Sequence, residues 1–193
     1  MSLSASSSNK ELVRRMVVLG YRGVGKTSAI HRFLEDEFIE MYYPTVELVH
    51  DQKISVGGVE YEVHIIDSAG QDEFSLLDTR YAVDIDVYVI AFSVVARKSF
   101  EMARIIRDKI LDLTGTESVT MVLVGNKIDL KDQRTVTYEE AEALAKEFGC
   151  PYIETSAKTN NNIRELFVKS VSETTKQEGE AAENTEGSKC VIM

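Results

Sequence analysis

The chain has 193 residues and a formal net charge of −10, and 44% of its residues are hydrophobic. Such a length and composition are typical of one globular domain with a full core, and the negative charge argues against a nucleic-acid partner. The two cysteines, Cys150 and Cys190, form neither a disulfide framework nor a zinc-ligand spacing. We therefore expect a protein of a reducing compartment, the cytoplasm.

Composition divides the chain into three parts. Residues 1–9 are mostly Ser, Ala and Asn and are predicted to be a disordered tail. Residues 10–176 contain the strand and helix patterns of a single domain. Residues 177–193 turn to Glu, Ala, Asn, Gly and Ser, which predicts a flexible tail.

A strand, a glycine-rich loop and a helix are the first predicted elements. The apolar run 12–19 favours a buried strand, and 28–36 favours a helix. Between them stands Gly20-Tyr21-Arg22-Gly23-Val24-Gly25-Lys26-Thr27, a G-x-x-x-x-G-K-T loop whose backbone N–H groups cradle phosphate oxygens. Lys26 is expected to reach the β- and γ-phosphates, and the Thr27 hydroxyl to bind Mg²⁺. The predicted nucleotide contacts here are Gly23, Val24, Gly25, Lys26, Thr27 and Ser28.

The remaining patterns predict an α/β fold. Residues 38–47 have no clear period and are predicted to form a mobile loop, whereas 48–56 and 59–66 flank Gly57-Gly58 as an antiparallel hairpin. Strands at 86–94, 119–124 and 152–154 then alternate with helices at 98–113, 138–148 and 163–172. We predict a P-loop NTPase with a six-stranded, mostly parallel sheet, one antiparallel edge strand and helices on both faces.

Three further segments follow predicted strands and indicate which nucleotide is bound. Asp67-Ser68-Ala69-Gly70 can hold Mg²⁺ through water on Asp67 and sense the γ-phosphate with the Gly70 amide. In Asn126-Lys127-Ile128-Asp129, the Asp129 carboxylate can accept hydrogen bonds from N1–H and the 2-amino group of guanine, which adenine lacks. In Glu154-Thr155-Ser156-Ala157-Lys158, the Ala157 amide can reach guanine O6. The predicted base contacts are Asn126, Lys127, Asp129, Ser156 and Ala157.

The order of these segments, over about residues 10–175, resembles the Ras superfamily of small GTPases and most closely its Rheb subfamily. The sequence motifs shared with that subfamily are Gly20-Tyr21-Arg22, Gln71-Asp72-Glu73 and Val124-Gly125-Asn126-Lys127. The resemblance implies a GTP-binding domain at 10–176 in which Phe38 packs on guanine, Thr45 binds Mg²⁺ and Tyr42 closes over the phosphates. Tyr43 departs from the aspartate usual in the family, and Ser68 from the usual threonine.

The resemblance also implies slow GTP hydrolysis stimulated by a GTPase-activating protein (GAP). Gln71 stands at the position of the family's water-positioning glutamine, but Arg22, where most relatives carry glycine, is expected to crowd the γ-phosphate and weaken that role. An arginine that simply lies in solvent is the alternative. Switch I (38–47) and switch II (67–80) are expected to respond to the γ-phosphate. A nucleotide-locked module without turnover remains the second interpretation of the function.

The sequence Cys190-Val191-Ile192-Met193 is a C-a-a-X pattern whose methionine favours farnesylation of Cys190 by farnesyltransferase. The acidic segment before it offers no second anchoring signal, so we expect a monomer held weakly by one prenyl chain on the cytoplasmic face of endomembranes and exchanging with the cytosol. By resemblance, the effector is the TOR kinase complex and the GAP is the tuberous sclerosis complex.

Overall fold

The structure, a computed structural model, describes residues 12–41 and 44–186, with side chains described up to residue 176. Predictions for the tail at 1–9, for Tyr42 and Tyr43, and for Cys190 lie outside the described residues. Within the described part of the chain, none of the helices combines the length and apolar character needed to cross a membrane.

Strands and helices alternate along the chain. The strands are β1 (Val13–Gly20), β2 (Glu47–Val56), β3 (Val59–Ser68), β4 (Val87–Ser93), β5 (Met121–Asn126) and β6 (Tyr152–Glu154). The helices are α1 (Lys26–Glu35), α2 (Arg97–Thr114), α3 (Tyr138–Phe148) and α4 (Ile163–Glu186), and short 3₁₀ turns lie at Thr79–Ala82 and Lys131–Gln133.

These six strands form one sheet in the order β2-β3-β1-β4-β5-β6. All neighbouring pairs are parallel except β2 and β3, which form the antiparallel hairpin at the edge. Gly57 and Gly58 connect them with φ values of 59° and 84°, the left-handed conformation that a tight hairpin turn requires. The predicted fold class is confirmed.

Helices cover both faces of the sheet and bury two apolar cores. On one face, α1 and α4 pack on the sheet around Ile65 and Ile54, and the rings of Phe33 and Phe167 stack at 4.2 Å between centroids. On the other face, α2 and α3 enclose a core that includes Ile106. Each fully buried aliphatic or aromatic side chain contributes about 1.5–3 kcal/mol, so the two cores fix the strand ends that carry the site.

Two helix boundaries differ from the sequence-based prediction by two residues or more. Helix α1 begins at Lys26, two residues before the predicted start, because Gly25 adopts the left-handed conformation that ends the loop. Helix α4 continues to Glu186, so the predicted end near residue 172 is wrong. Glu, Ala, Lys and Gln, which are strong helix formers, dominate the sequence after 172 and extend the helix into the segment predicted as a flexible tail.

Candidate nucleotide-binding site

A cavity of about 380 Å³ opens where β1, β3, β5 and β6 end, at the carboxyl edge of the parallel strands. This is the place where open α/β sheets bind ligands. Twelve of the predicted nucleotide-binding residues line it: Gly23, Gly25, Lys26, Thr27, Ser28, Phe38, Thr45, Gly70, Asn126, Lys127, Asp129 and Ala157. Five segments that are distant in sequence therefore converge on one space.

The loop after β1 has the geometry of a phosphate cradle. Gly23 and Gly25 have φ values of 72° and 97°, and a Cβ atom on Gly25 would overlap the side-chain amide of Asn126. The Lys26 ammonium is buried and donates to the carbonyls of Gly20 and Tyr21 at 3.2 and 3.3 Å. Burial lowers the pKa of Lys26 to about 8, and a phosphate bound at the α1 N-terminus would raise that pKa again by stabilising the ammonium.

Oxygen ligands for a divalent cation lie next to this loop. The hydroxyls of Thr27 and Thr45 are 2.7 Å apart, which joins switch I to α1. Asp67, at the end of β3, is fully buried, and neither carboxylate oxygen has a hydrogen-bond partner among the described residues. Burial raises the pKa of Asp67, and the nearby Thr27 hydroxyl and Lys26 ammonium oppose that rise. A buried carboxylate without a partner beside two hydroxyls fits Mg²⁺, which takes few protein ligands and completes its shell with phosphates and water.

At the other end of the cavity, Asp129 is held in place by Ser156. The Ser156 hydroxyl donates to Asp129 Oδ1 at 2.6 Å and itself accepts the amide of Thr159 at 3.1 Å. Ser156 is fully buried and does not line the cavity, so its side chain acts through Asp129. The Asp129 carboxylate is thereby oriented for two donors on the edge of a base.

Asn126 and Lys127 connect the base-binding loop to the phosphate-binding loop. The Asn126 amide donates to the carbonyls of Val24 and Gly25 at 3.0 and 3.4 Å, and the Lys127 ammonium donates to the Gly23 carbonyl at 2.7 Å. The side chain of Val24 is buried in the core, so this residue faces the site only with its backbone. These hydrogen bonds join the base-binding loop and the phosphate-binding loop along one side of the cavity.

Of the predicted catalytic residues, Gln71 lies in switch II, Arg22 lies in the phosphate-binding loop, and Tyr42 lies outside the described residues. Gln71 is only 7% exposed; its side-chain amide donates to the Ala69 carbonyl at 3.1 Å, and its backbone N–H donates to Gly20 at 2.9 Å. Arg22 has a 61% exposed side chain and pairs with Asp72 at 2.5 Å. A Cβ on Gly70 would lie 2.6 Å from the Arg22 Cα, so only glycine permits this close approach.

Sequence reasoning missed six residues that also line the cavity: Ile39, Glu40, Met41, Ser68, Leu130 and Lys158. Each lies within three positions of a predicted contact, which is the signal that would have found them. Phe38 is half-buried and packs against the core beside α1, which holds the start of switch I in place.

Comparison with known proteins adds independent findings. A sequence model of the Ras family matches residues 15–176. The chain is 46% identical over 179 residues to the GTP-binding protein rhb1 of Schizosaccharomyces pombe, covering 93% of this chain and 96% of that protein. It is 39% identical over 180 residues to the GTP-binding protein Rheb of Homo sapiens, covering 93% and 97%. It is 42% identical over 154 residues to the Rheb homolog of Drosophila melanogaster, covering 80% and 85%. The matched region contains every loop of the cavity.

Proposed function

The chain belongs to the Ras family and is a small GTPase of the Rheb subfamily that binds and hydrolyses GTP, and on this premise we propose that it is a slowly hydrolysing switch. We infer the slow rate from one observation, the buried position of Gln71, whose side-chain Nε2 donates to the Ala69 carbonyl. A glutamine in this position does not orient a water molecule without first moving.

In the reaction, water attacks the γ-phosphorus, the bond to the β–γ bridging oxygen breaks, and GDP and inorganic phosphate leave. Most of the catalysis is positioning and electrostatic stabilisation. Lys26 and the backbone N–H groups of the glycine loop hold the phosphates, and Asp129 selects guanine. Thr27, Thr45 and Asp67, the last through water, would hold Mg²⁺, which neutralises charge between the β- and γ-phosphates when it is bound.

The effector surface is proposed to lie on the two switches. Tyr42, which lies outside the described residues, is proposed to close over the phosphates. Thr45, which would hold Mg²⁺, would tie switch I to the nucleotide. Three large apolar residues of the two switches are highly exposed: Val46 in switch I is 87% exposed, and Phe74 and Leu76 in switch II are 89% and 93% exposed. Exposed apolar residues of this size support a protein–protein contact. On the basis of the family resemblance, we propose the TOR kinase complex as effector and the tuberous sclerosis complex as GAP.

Membrane attachment is proposed through farnesylation of Cys190, which lies outside the described residues. One prenyl chain gives only marginal, reversible binding, and the acidic residues before it are repelled by anionic leaflets. The protein is therefore proposed to exchange between the cytoplasmic face of endomembranes and the cytosol, and to do so as a monomer.

Identification of the bound nucleotide and single-turnover phosphate release test the proposal together. We expect the purified protein to retain GTP or GDP, and intrinsic release on the order of 10⁻⁴ s⁻¹ or below, the range of Ras itself. Addition of a GAP should accelerate it. Phosphate release that stays at zero with every GAP tested would instead favour the alternative of a nucleotide-locked module.

A further inference from the structure

A single lysine of α2 binds three backbone carbonyls of switch II. The Lys109 ammonium donates to the carbonyl oxygens of Asp72, Glu73 and Ser75, at 2.9, 3.1 and 2.6 Å respectively. Lysine has three N–H donors, so this contact uses its full donor capacity on one short stretch of backbone. We refer to residues 72–75 as the 72–75 turn.

The 72–75 turn is also closed internally. The Asp72 carboxylate accepts the backbone N–H groups of Phe74 and Ser75, at 3.1 and 2.8 Å, and the Ser75 hydroxyl at 2.8 Å. These bonds lower the pKa of Asp72, which keeps the carboxylate ionised and the turn intact. The amides therefore point toward Asp72, and the three carbonyls are left to converge on Lys109.

This turn begins directly after Gln71, so its position constrains that residue. On its N-terminal side, Gln71 is fixed because its backbone N–H donates to the Gly20 carbonyl at 2.9 Å. On its C-terminal side, the next carbonyl along the chain, that of Asp72, is held by Lys109. With both sides anchored, the Gln71 side chain remains in the buried position where its Nε2 contacts Ala69.

We propose that Lys109 is a positioning residue that holds the 72–75 turn on α2 and thereby keeps Gln71 away from the attacking water. This inference rests on the proposed slow hydrolysis and names a cause of it outside the nucleotide-binding loops. Lys109 is not among the residues that line the nucleotide cavity, and its effect on the rate passes through the backbone of switch II.

The test is single-turnover phosphate release from the full-length GTP-loaded protein carrying Lys109→Met, a side chain of similar length without the ammonium. We expect the rate of hydrolysis to rise about tenfold. This is smaller than the ~10²-fold change in rate that a small displacement of a catalytic group can cause. The rise should disappear in the double variant Lys109→Met with Gln71→Leu. A merely structural role of Lys109 would not produce a gain in rate that depends on Gln71.

Lys146→Met is the matched control, because it removes the same charge from α3, where Lys146 pairs only with the exposed Glu142 among the described side chains. Its rate should equal that of the parent. A Lys109→Met rate equal to the parent, or a gain that persists without Gln71, would overturn the proposal.

Hydrogen exchange provides a second measurement that does not depend on turnover. In the GDP-bound protein, Lys109→Met should accelerate exchange at the amides of Phe74 and Ser75, since local opening becomes easier once the turn is released from α2. Unchanged exchange at both amides would overturn the proposal. Because this readout involves no chemistry, it separates failure of the Lys109 proposal from failure of slow hydrolysis in the parent.

Discussion

At the scale of single residues, the proposed selection of guanine depends on a carboxylate whose orientation is set by a buried hydroxyl. Asp129 lines the cavity, and Ser156 donates to its Oδ1 at 2.6 Å. A carboxylate only accepts hydrogen bonds, and guanine presents two adjacent donors on the edge that would face it. Sites built to satisfy such donors discriminate strongly against a base that lacks them, because the buried acceptor is then left unpaired.

Asp129→Asn should therefore weaken GTP binding and admit xanthosine nucleotide, whose 2-oxo group accepts a hydrogen bond from the new amide. We expect the loss for GTP to be about 10²-fold or more, in line with removal of a charged hydrogen-bond partner. Competition binding with GTP, XTP and ATP measures it. Equal affinity of the parent for ATP and GTP would refute the role of Asp129.

Arg22 is the second residue with a testable effect. Its guanidinium pairs with Asp72 at 2.5 Å, so it contacts switch II from the phosphate loop. Arg22→Gly removes this pair and so frees the start of switch II, and we expect intrinsic hydrolysis to rise roughly threefold to tenfold through better positioning of Gln71. The gain should be lost when Gln71→Leu is added, because the two residues act on the same step. Phosphate release from the four proteins measures this, and an unchanged rate in Arg22→Gly would show that the arginine has no such effect.

At the scale of elements, secondary structure was predicted most accurately where it depends on residues that are close in sequence. The hairpin of β2 and β3 follows from Gly57-Gly58, and the start of α3 from the capping box formed by Thr137 and Glu140. In that box Glu140 N–H donates to Thr137 Oγ1 at 3.2 Å, and Thr137 N–H donates to Glu140 Oε2 at 2.9 Å. Both features depend on residues within four positions of one another, which a sequence pattern contains.

Thr137→Ala should lower the free energy of unfolding by about 1 kcal/mol, the usual cost of removing an N-cap hydroxyl. Urea unfolding of the GDP-bound protein measures the change. Thr137→Ser, which keeps the oxygen, is the matched control and should be close to the parent. Equal destabilisation by alanine and serine would show that the methyl group matters, and not the cap.

Contacts between elements that are distant in sequence could not be predicted from the sequence patterns. Nothing in the spacing around Lys109 indicates that it reaches the 72–75 turn, because that contact depends on how α2 crosses the sheet. The burial of Gln71 is of the same kind, since its backbone N–H donates to the carbonyl of Gly20, which lies at the end of β1 and far from Gln71 in sequence. The sequence thus predicted most of the residues that line the cavity, and the structure was needed to show how switch II is held.

At the scale of the whole molecule, the net charge of −10 and the acidic residues before Cys190 support the proposal that membrane binding is weak. Cys190→Ser should therefore release the protein to the cytosol, while GTP affinity in solution stays unchanged because the lipid lies outside the nucleotide domain. Cell fractionation and nucleotide titration measure the two properties. Retention of Cys190→Ser on membranes would show that another surface binds them.

We propose that this GTPase hydrolyses GTP slowly because Gln71 is held away from the attacking water. The decisive measurement is single-turnover phosphate release from the parent and from Gln71→Leu, without a GAP. We expect the two rates to agree within about twofold, since a group that makes no interaction in the transition state costs nothing when it is removed. A fall of about tenfold or more in Gln71→Leu would contradict it and place Gln71 in the transition state of the parent enzyme.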